Sequence, residues 1–350
     1  MEMSYKSSSG TVGWSCPSNI ALIKYWGKRP VQLPGNPSLS MTLEVARTMT
    51  RLKYEFDPLF QNPSIHFQFE GMVDPFFENR VKNYIKEIRK YMPVLTHTSL
   101  QIESANTFPH SSGIASSASS MGALSMCLVS LENKIKGLTN PLNMRERASF
   151  LARIGSGSAS RSVYPNFALW GATDEWTGSN DEYAIPVTGY HEEFGALCDT
   201  ILVVDSGKKK ISSSKGHSLM DENPYSATRF TQARQNLKSL KTVLAAGDWD
   251  GFISVLELEA LSLHAMMMTS RSGYMLMQPA TISIIEKVLE FRKETGCRMG
   301  FSLDAGPNVH LIYSHSDSDQ IIDFITSELR TFCEDDLLIM DRIGEGPTEL

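Results

Sequence analysis

The chain has 350 residues, 41% hydrophobic and 21% charged, with 33 basic against 39 acidic side chains and a formal charge of −6. That is the balance of a soluble globular protein with room for two domains, and it excludes a nucleic-acid binder unless cations gather on one face, where only residues 208–210 form a basic run. Five scattered cysteines without a C-x-x-C pair exclude a disulfide framework and a zinc site, no apolar run approaches the roughly 20 residues that cross a bilayer, and the N-terminus lacks a signal-peptide core, so the expected location is the cytosol.

Residues 19–25 (NIALIKY) predict a buried strand, and the turn signals in LPGNPSLSMTL lead into a second, with Leu39, Met41 and Leu43 alternating. Residues 51–56 and 65–69 predict further strands. Val81, Tyr84, Ile85, Ile88 and Met92 share one helical face, and residues 100–104 return to an extended pattern. The serine-rich stretch FPHSSGIASSASS (108–120) runs straight into Met121, Leu124, Leu128 and Leu131 at helical spacing, so it predicts a helix start. An acidic segment, 174–181, predicts an exposed hairpin or loop, with a domain boundary near 190. Beyond it come a short strand at 200–204, a helix through Phe230, Ala233, Leu237, Leu240 and Leu244 ended by Gly247, a helix at 282–291, and a strand–turn–strand over 301–313 bent at Gly306 and Pro307. This order implies an α+β protein with domains over 1–190 and 191–350.

Four motifs carry candidate chemistry. Small residues at a helix start leave its N–H groups open to a phosphate, so Ser111 to Ser117 can cradle a triphosphate, with Ser117 a candidate for Mg²⁺ or a phosphate oxygen; a serine-capped core helix has the same composition. IALIKYWGKR brings Lys24, Lys28 and Arg29 together and asks for an anion, or else is a strand end with a solvated basic turn. GSGSASRS surrounds Arg161 with glycines and serines, a setting for bidentate recognition of a carboxylate or phosphate, or a second serine cap with an exposed arginine. In LDAGPNV, Asp304 precedes a Gly-Pro turn, where an aspartate is a turn former or a carboxylate that orients a hydroxyl and takes its proton. His264, followed by Met266, Met267 and Met268, reads as part of a core-filling helix and not a metal site.

These motifs, with KKKISSSKGH and ENPYSATRF between the third and fourth, resemble in residue type and order the diphosphomevalonate decarboxylase family of the GHMP kinase superfamily. The resemblance implies a two-domain GHMP kinase fold with the active site in the inter-domain cleft, and a homodimer. It implies an enzyme that uses ATP and Mg²⁺ to phosphorylate the 3-hydroxyl of mevalonate 5-diphosphate and then releases phosphate and CO₂ to give isopentenyl diphosphate in isoprenoid biosynthesis. By motif position, Asp304 is the catalytic carboxylate, Lys24 its neighbouring cation, and Asn19 and Arg161 hold the substrate carboxylate. Tyr25, Lys28, Ser156, Ser158, Ser214 and His217 fall on the substrate side. Ser111, Ser112, Gly113, Ala115, Ser116 and Ser117 match the ATP loop, with Ser104 and Asn106 upstream on the nucleotide side. No nucleic acid or membrane is implied as partner. His217 stands where the family commonly has methionine, which brings a titratable ring to the substrate end. The alternatives are a small-molecule kinase of the same superfamily, such as a mevalonate 3-kinase, a phosphomevalonate decarboxylase, and an RNA-binding module, which the acidic balance disfavours.

Overall fold

The computed structural model describes residues 5–30, 32–109, 114–138, 143–207 and 213–350, with the backbone alone for 213–215. Strand β1 (Ser8–Ile23) is buried without a break over its last nine residues. A two-residue ribbon, β2 (Lys28–Arg29) with β3 (Leu33–Pro34), leads into β4 (Ser38–Phe56), which pairs antiparallel with β1 along almost its whole length. The two strands read from the sequence at 39–43 and 51–56 are therefore one. Its second half alternates buried and exposed, as a strand with one solvated face must, whereas its first six residues are all buried.

Then follow β5 (Ile65–Phe69), helix α1 (Pro75–Ile88), β6 (Thr98–Asn106), α2 (Ser116–Lys136) and α3 (Met144–Gly155). Asp74 caps α1 by accepting from Phe76 N–H at 2.7 Å, and Met92, which the periodicity placed on that helix, is buried just beyond its end. Short strands β7 (Phe167–Trp170) and β8 (Ala184–Val187) enclose the acidic loop. α2 is buried along most of its length and packs on β1 and β4, forming the first core with α1 and α3.

The chain then enters a second sheet at β9 (Leu197–Leu202), and helices α4 (Ser213–Ser218), α5 (Ser226–Ala246), α6 (Trp249–Met268) and α7 (Pro279–Thr295) follow. Strands β10 (Met299–Leu303) and β11 (Val309–Ser314), helix α8 (Ser318–Phe324), β12 (Leu338–Arg342) and β13 (Thr348–Glu349) complete the order. Gly247 ends α5 in the left-handed region at φ 72°, as its position predicts. By length and mean hydropathy, 1.3, α6 meets the test for a membrane span that no unbroken apolar run in the sequence meets; it is a core helix, more than half buried, with Glu259 and His264 inside it.

Among the described residues the first sheet runs β13-β1-β4-β6-β5, with β7 and β8 added at β4, and the second runs β10-β11-β9-β12. Main-chain contacts are among the links between the halves. β13 returns to pair with Trp14 and Ser15 of β1. Asp341 on β12 accepts the main-chain N–H groups of Glu44, Val45 and Ala46, each at 2.8 Å, where β4 turns from half-solvated to fully buried.

Candidate active site

Lys24 is the first residue past β1, so the strand does not persist to set Lys24 and Tyr25 on opposite faces; each is aimed by its own contacts. The Lys24 Nζ donates to Ser302 Oγ at 2.9 Å and to Asp304 Oδ1 at 3.1 Å. The lysine side chain is 2% exposed and the aspartate 30%, so the pair is buried on the cation's side and open on the carboxylate's. Burial pulls the ammonium below the usual lysine pKa, and the charge of Asp304 is the largest influence opposing that.

The main chain of Lys24 is pinned on both sides: its N–H donates to Glu259 Oε2 at 2.8 Å and its C=O accepts from Asn36 Nδ2 at 3.1 Å. Glu259 is fully buried and also accepts from both terminal nitrogens of Arg229 and from Asn236 Nδ2. On the other side, His264 Nε2 donates to the Asp304 C=O at 3.0 Å. Burial pushes this imidazole down to about 4, so it is neutral, and a carbonyl partner assigns its proton to Nε2. Sequence reading missed Glu259, Arg229 and His264 as site residues. For Glu259 and His264 the available signal was a carboxylate and an imidazole on the buried face of α6.

Arg161 directly follows the 3₁₀ turn Gly157–Ser160 after α3 and is 2% exposed, which removes the reading of it as a solvated arginine beside a serine cap. Its Nη1 donates to Ser38 Oγ, its guanidinium lies 6.0 Å from the Trp170 ring centre, and its Nε has no partner among the described residues. Burial lowers it to about 10, so it remains a cation at neutral pH. A buried guanidinium with an unpaired donor is costly, and an anion would repay that cost. Tyr25 packs edge-on to Trp170 at 4.7 Å, and its hydroxyl is likewise buried without a partner among the described residues; burial raises the phenol, which stays protonated.

His217 fits between Tyr25 and Trp26, at ring separations of 4.3 and 4.8 Å, and its Nδ1 accepts from Gly27 N–H at 3.0 Å. Gly27 has φ +93°, and a Cβ there would lie 2.7 Å from the Phe230 ring, so glycine is required. Burial, reinforced by Lys28 and Arg161, takes His217 well below the usual histidine range. With Nδ1 accepting from Gly27 and burial opposing the charged form, the titratable ring at this end of the site carries its proton on Nε2. Lys28, half-buried on β2, is lowered by burial and then by Arg80.

Serine hydroxyls connect this cluster to the start of α2. Ser117 Oγ lies 3.2 Å from Ser156 Oγ, which lies 3.3 Å from Ser158 Oγ, and Asn19 Nδ2 donates to Ser158 C=O at 3.2 Å and to Ser162 Oγ at 2.7 Å. Gly157 sits between these serines because a Cβ would meet the Tyr25 and Trp170 rings at 2.8 Å. α2 begins at Ser116 after Ala115, without a side-chain cap. Beside it opens a pocket of about 640 Å³, its mouth included, whose lining includes Phe67, Phe69 and Phe77 together with Ser104, Asn106, Ser116 and Ser117. The Nδ2 of Asn106 is buried there without a partner among the described residues. Ser111, Ser112 and Gly113 lie outside the described residues, as does the side chain of Ser214, whose backbone belongs to α4.

The site thus joins a carboxylate–ammonium pair, an anion-seeking guanidinium and an apolar pocket at a helix start. Residues 16–184 match the model for the diphosphomevalonate decarboxylase-like N-terminal domain, and residues 200–343 match that for the mevalonate 5-diphosphate decarboxylase C-terminal domain. The diphosphomevalonate decarboxylase of Candida albicans is 29% identical over 330 residues, covering 89% of this chain and 86% of its own. The mevalonate diphosphate decarboxylase structure from Staphylococcus aureus aligns at a TM-score of 0.83 with 28% identity over 98% of both chains. A structure of the Enterococcus faecalis enzyme, solved to address ATP binding mediated by mevalonate diphosphate, and a complex of MDDEF with MVAPP, AMPPCP and magnesium share the fold, each at a TM-score of 0.81 and 24% identity over 98% of this chain and 99% of theirs.

Proposed function

The chain belongs to the diphosphomevalonate decarboxylase family, and on that premise we propose that it converts mevalonate 5-diphosphate, with ATP, into isopentenyl diphosphate, ADP, phosphate and CO₂. The observation that carries this reading is the Lys24–Asp304 contact of 3.1 Å, open to the cleft on the carboxylate side, with the unpaired Arg161 Nε on the same site. A kinase needs the first of these to activate a hydroxyl. A carboxylate-gripping guanidinium beside it suits a substrate that must lose CO₂.

In this reading the substrate's 3-hydroxyl lies against Asp304, whose carboxylate can take the hydroxyl proton and face the positive charge that builds at C3. Arg161 and Asn19 hold the substrate carboxylate so that its C–C bond aligns with the leaving phosphate; the electrons of that bond become the new double bond as CO₂ departs. Tyr25, Lys28, Ser156, Ser158, Ser214 and His217 receive the diphosphate end, His217 as a neutral donor. Ser104, Asn106, Ser111, Ser112, Gly113, Ala115, Ser116 and Ser117 receive the nucleotide, the three phenylalanines of the pocket offering stacking area to its base.

Among the described residues no three His, Cys, Asp or Glu side chains converge on a metal site. The oxygen donors at the start of α2 are the neutral hydroxyls of Ser117 and Ser156, which suit a magnesium ion that keeps phosphate oxygens and water as its main ligands. Ser117 would hold it, and its chemistry when bound is to neutralise phosphate charge during transfer. The same reading carries the domain boundary near residue 190, a cytosolic homodimer, and no nucleic-acid or membrane partner.

The test is turnover of mevalonate 5-diphosphate with ATP and Mg²⁺, following ADP and CO₂ together. One ADP per CO₂ is expected; ADP without CO₂ would make the protein a kinase, and CO₂ without ATP would remove the proposal. Replacing Arg161 by Lys keeps the charge and loses the planar fork. In a single-turnover quench CO₂ should then lag behind ADP by roughly tenfold or more, the size of one lost charged hydrogen bond. Equal slowing of both products would move Arg161 to substrate binding alone.

A further inference from the structure

Helix α6 reaches the main chain of both members of the catalytic pair. Glu259 accepts the Lys24 N–H at 2.8 Å, and His264, five residues later on the same helix, donates to the Asp304 C=O at 3.0 Å. With the Lys24–Asp304 side-chain contact at 3.1 Å these links close a ring, and α6 spans it with an axial rise of about 7.5 Å between the two residues. Glu259 cannot swing, because Arg229 and Asn236 occupy its remaining lone pairs. His264 is 1% exposed, and its target is the carbonyl that also accepts Gly306 N–H at 2.8 Å to form the tight turn after Asp304. A core-filling imidazole needs some acceptor. This one has the carbonyl of Asp304, whose carboxylate faces both Lys24 and the open cleft.

We infer that His264 is a positioning residue: by holding the Asp304 carbonyl at a distance fixed by α6 and Glu259, it sets the Asp304 carboxylate against Lys24. This rests on the reading of Asp304 as the catalytic carboxylate. The groups that act on the ring electrostatically are Lys24 and Asp304, which push it in opposite directions, and burial keeps it uncharged. Its contribution is therefore geometric. A misplacement of about 1 Å at such a carboxylate costs on the order of a hundredfold in rate, whereas binding of substrates held by other groups is spared.

The experiment compares His264→Leu, which fills the space without a donor, with His264→Gln, whose amide nitrogen can reach the same carbonyl. His264→Leu is expected to lower kcat by about 10- to 100-fold with KM for either substrate within about threefold, and His264→Gln to recover most of the loss. Hydrogen exchange over residues 299–309 should be faster in the Leu variant and close to wild type in the Gln variant. Wild-type kcat and exchange in the Leu variant, or a Gln variant as impaired as Leu while both keep the wild-type Tm, would overturn the inference. A wild-type protein that releases no CO₂ would instead remove the proposed function, and the exchange comparison would still decide whether His264 holds the turn.

Discussion

Asp304→Asn is expected to lower kcat by two decades or more while KM for ATP and for mevalonate 5-diphosphate changes by less than about fivefold. Asparagine keeps the shape and the turn, so the Ser302, His264 and Gly306 contacts persist. What goes is the charge, and its loss acts twice. The carboxylate no longer faces the hydroxyl and C3, and the buried Lys24 loses the influence that most opposes its desolvation, so its pKa falls further and the ammonium is held less firmly at neutral pH. The loss of activity should therefore deepen as pH rises. Steady-state kinetics of the variant between neutral and alkaline pH measures this; a fall of less than about tenfold, no more than one ordinary hydrogen bond, would reduce Asp304 to a turn former.

Arg229→Leu should be the most destabilising single change near the site. Arg229 and Glu259 are 2% and 0% exposed and meet through two hydrogen bonds. Removing one partner leaves a buried carboxylate with only Asn236 and the Lys24 N–H against it, a loss of about 3–5 kcal/mol for pairs of this kind. Chemical denaturation should show the midpoint falling without a change in slope. The double variant Arg229→Leu, Glu259→Leu should recover at least half of the stability, because two apolar groups replace two charges, yet it should stay impaired in kcat because Lys24 N–H has lost its acceptor. A single variant within about 1 kcal/mol of wild type would show that water reaches Glu259 and that the pair does not fix Lys24.

The sequence was most legible where the signal is local. Residues 65–69 form the strand their alternation predicts, Gly247 ends α5, and the Gly306–Pro307 bend joins β10 to β11. Lys24, Asp304 and Arg161 could be picked out because each sits beside turn-forming or small residues that leave a polar group few roles. The continuity of β4 was hidden because its apolar alternation changes phase along the strand, from odd positions (Leu39, Met41, Leu43) to even ones (Leu52, Tyr54, Phe56), so one strand reads as two. Glu259 and His264 were hidden for another reason. Their partners lie 235 and 40 residues away in the chain, and no local pattern announces a hydrogen bond to a distant main-chain atom. His217 was visible as a residue but not as a neutral one, since its charge state depends on a burial that Tyr25 and Trp26 create only after folding.

The clasp of Asp341 on the amides of residues 44–46 joins points 295 residues apart, and Lys24 waits 280 residues for Asp304. At ribosomal rates of about 5–20 residues per second, those amides are exposed for roughly 15 seconds to a minute before their carboxylate has been made. During that interval β1 and β4 can pair and α2 can cover them, but the bend in β4 has no anchor and the open edge of β1 near Trp14 has no cover. The nascent first layer is then a sheet with unpaired donors, the kind of surface that chaperones retain and that neighbouring chains on one messenger can wrongly share. On the proposed assignment the delay also protects the cell's nucleotide: the half that receives ATP is synthesised first, yet it remains inert until the distant carboxylate arrives.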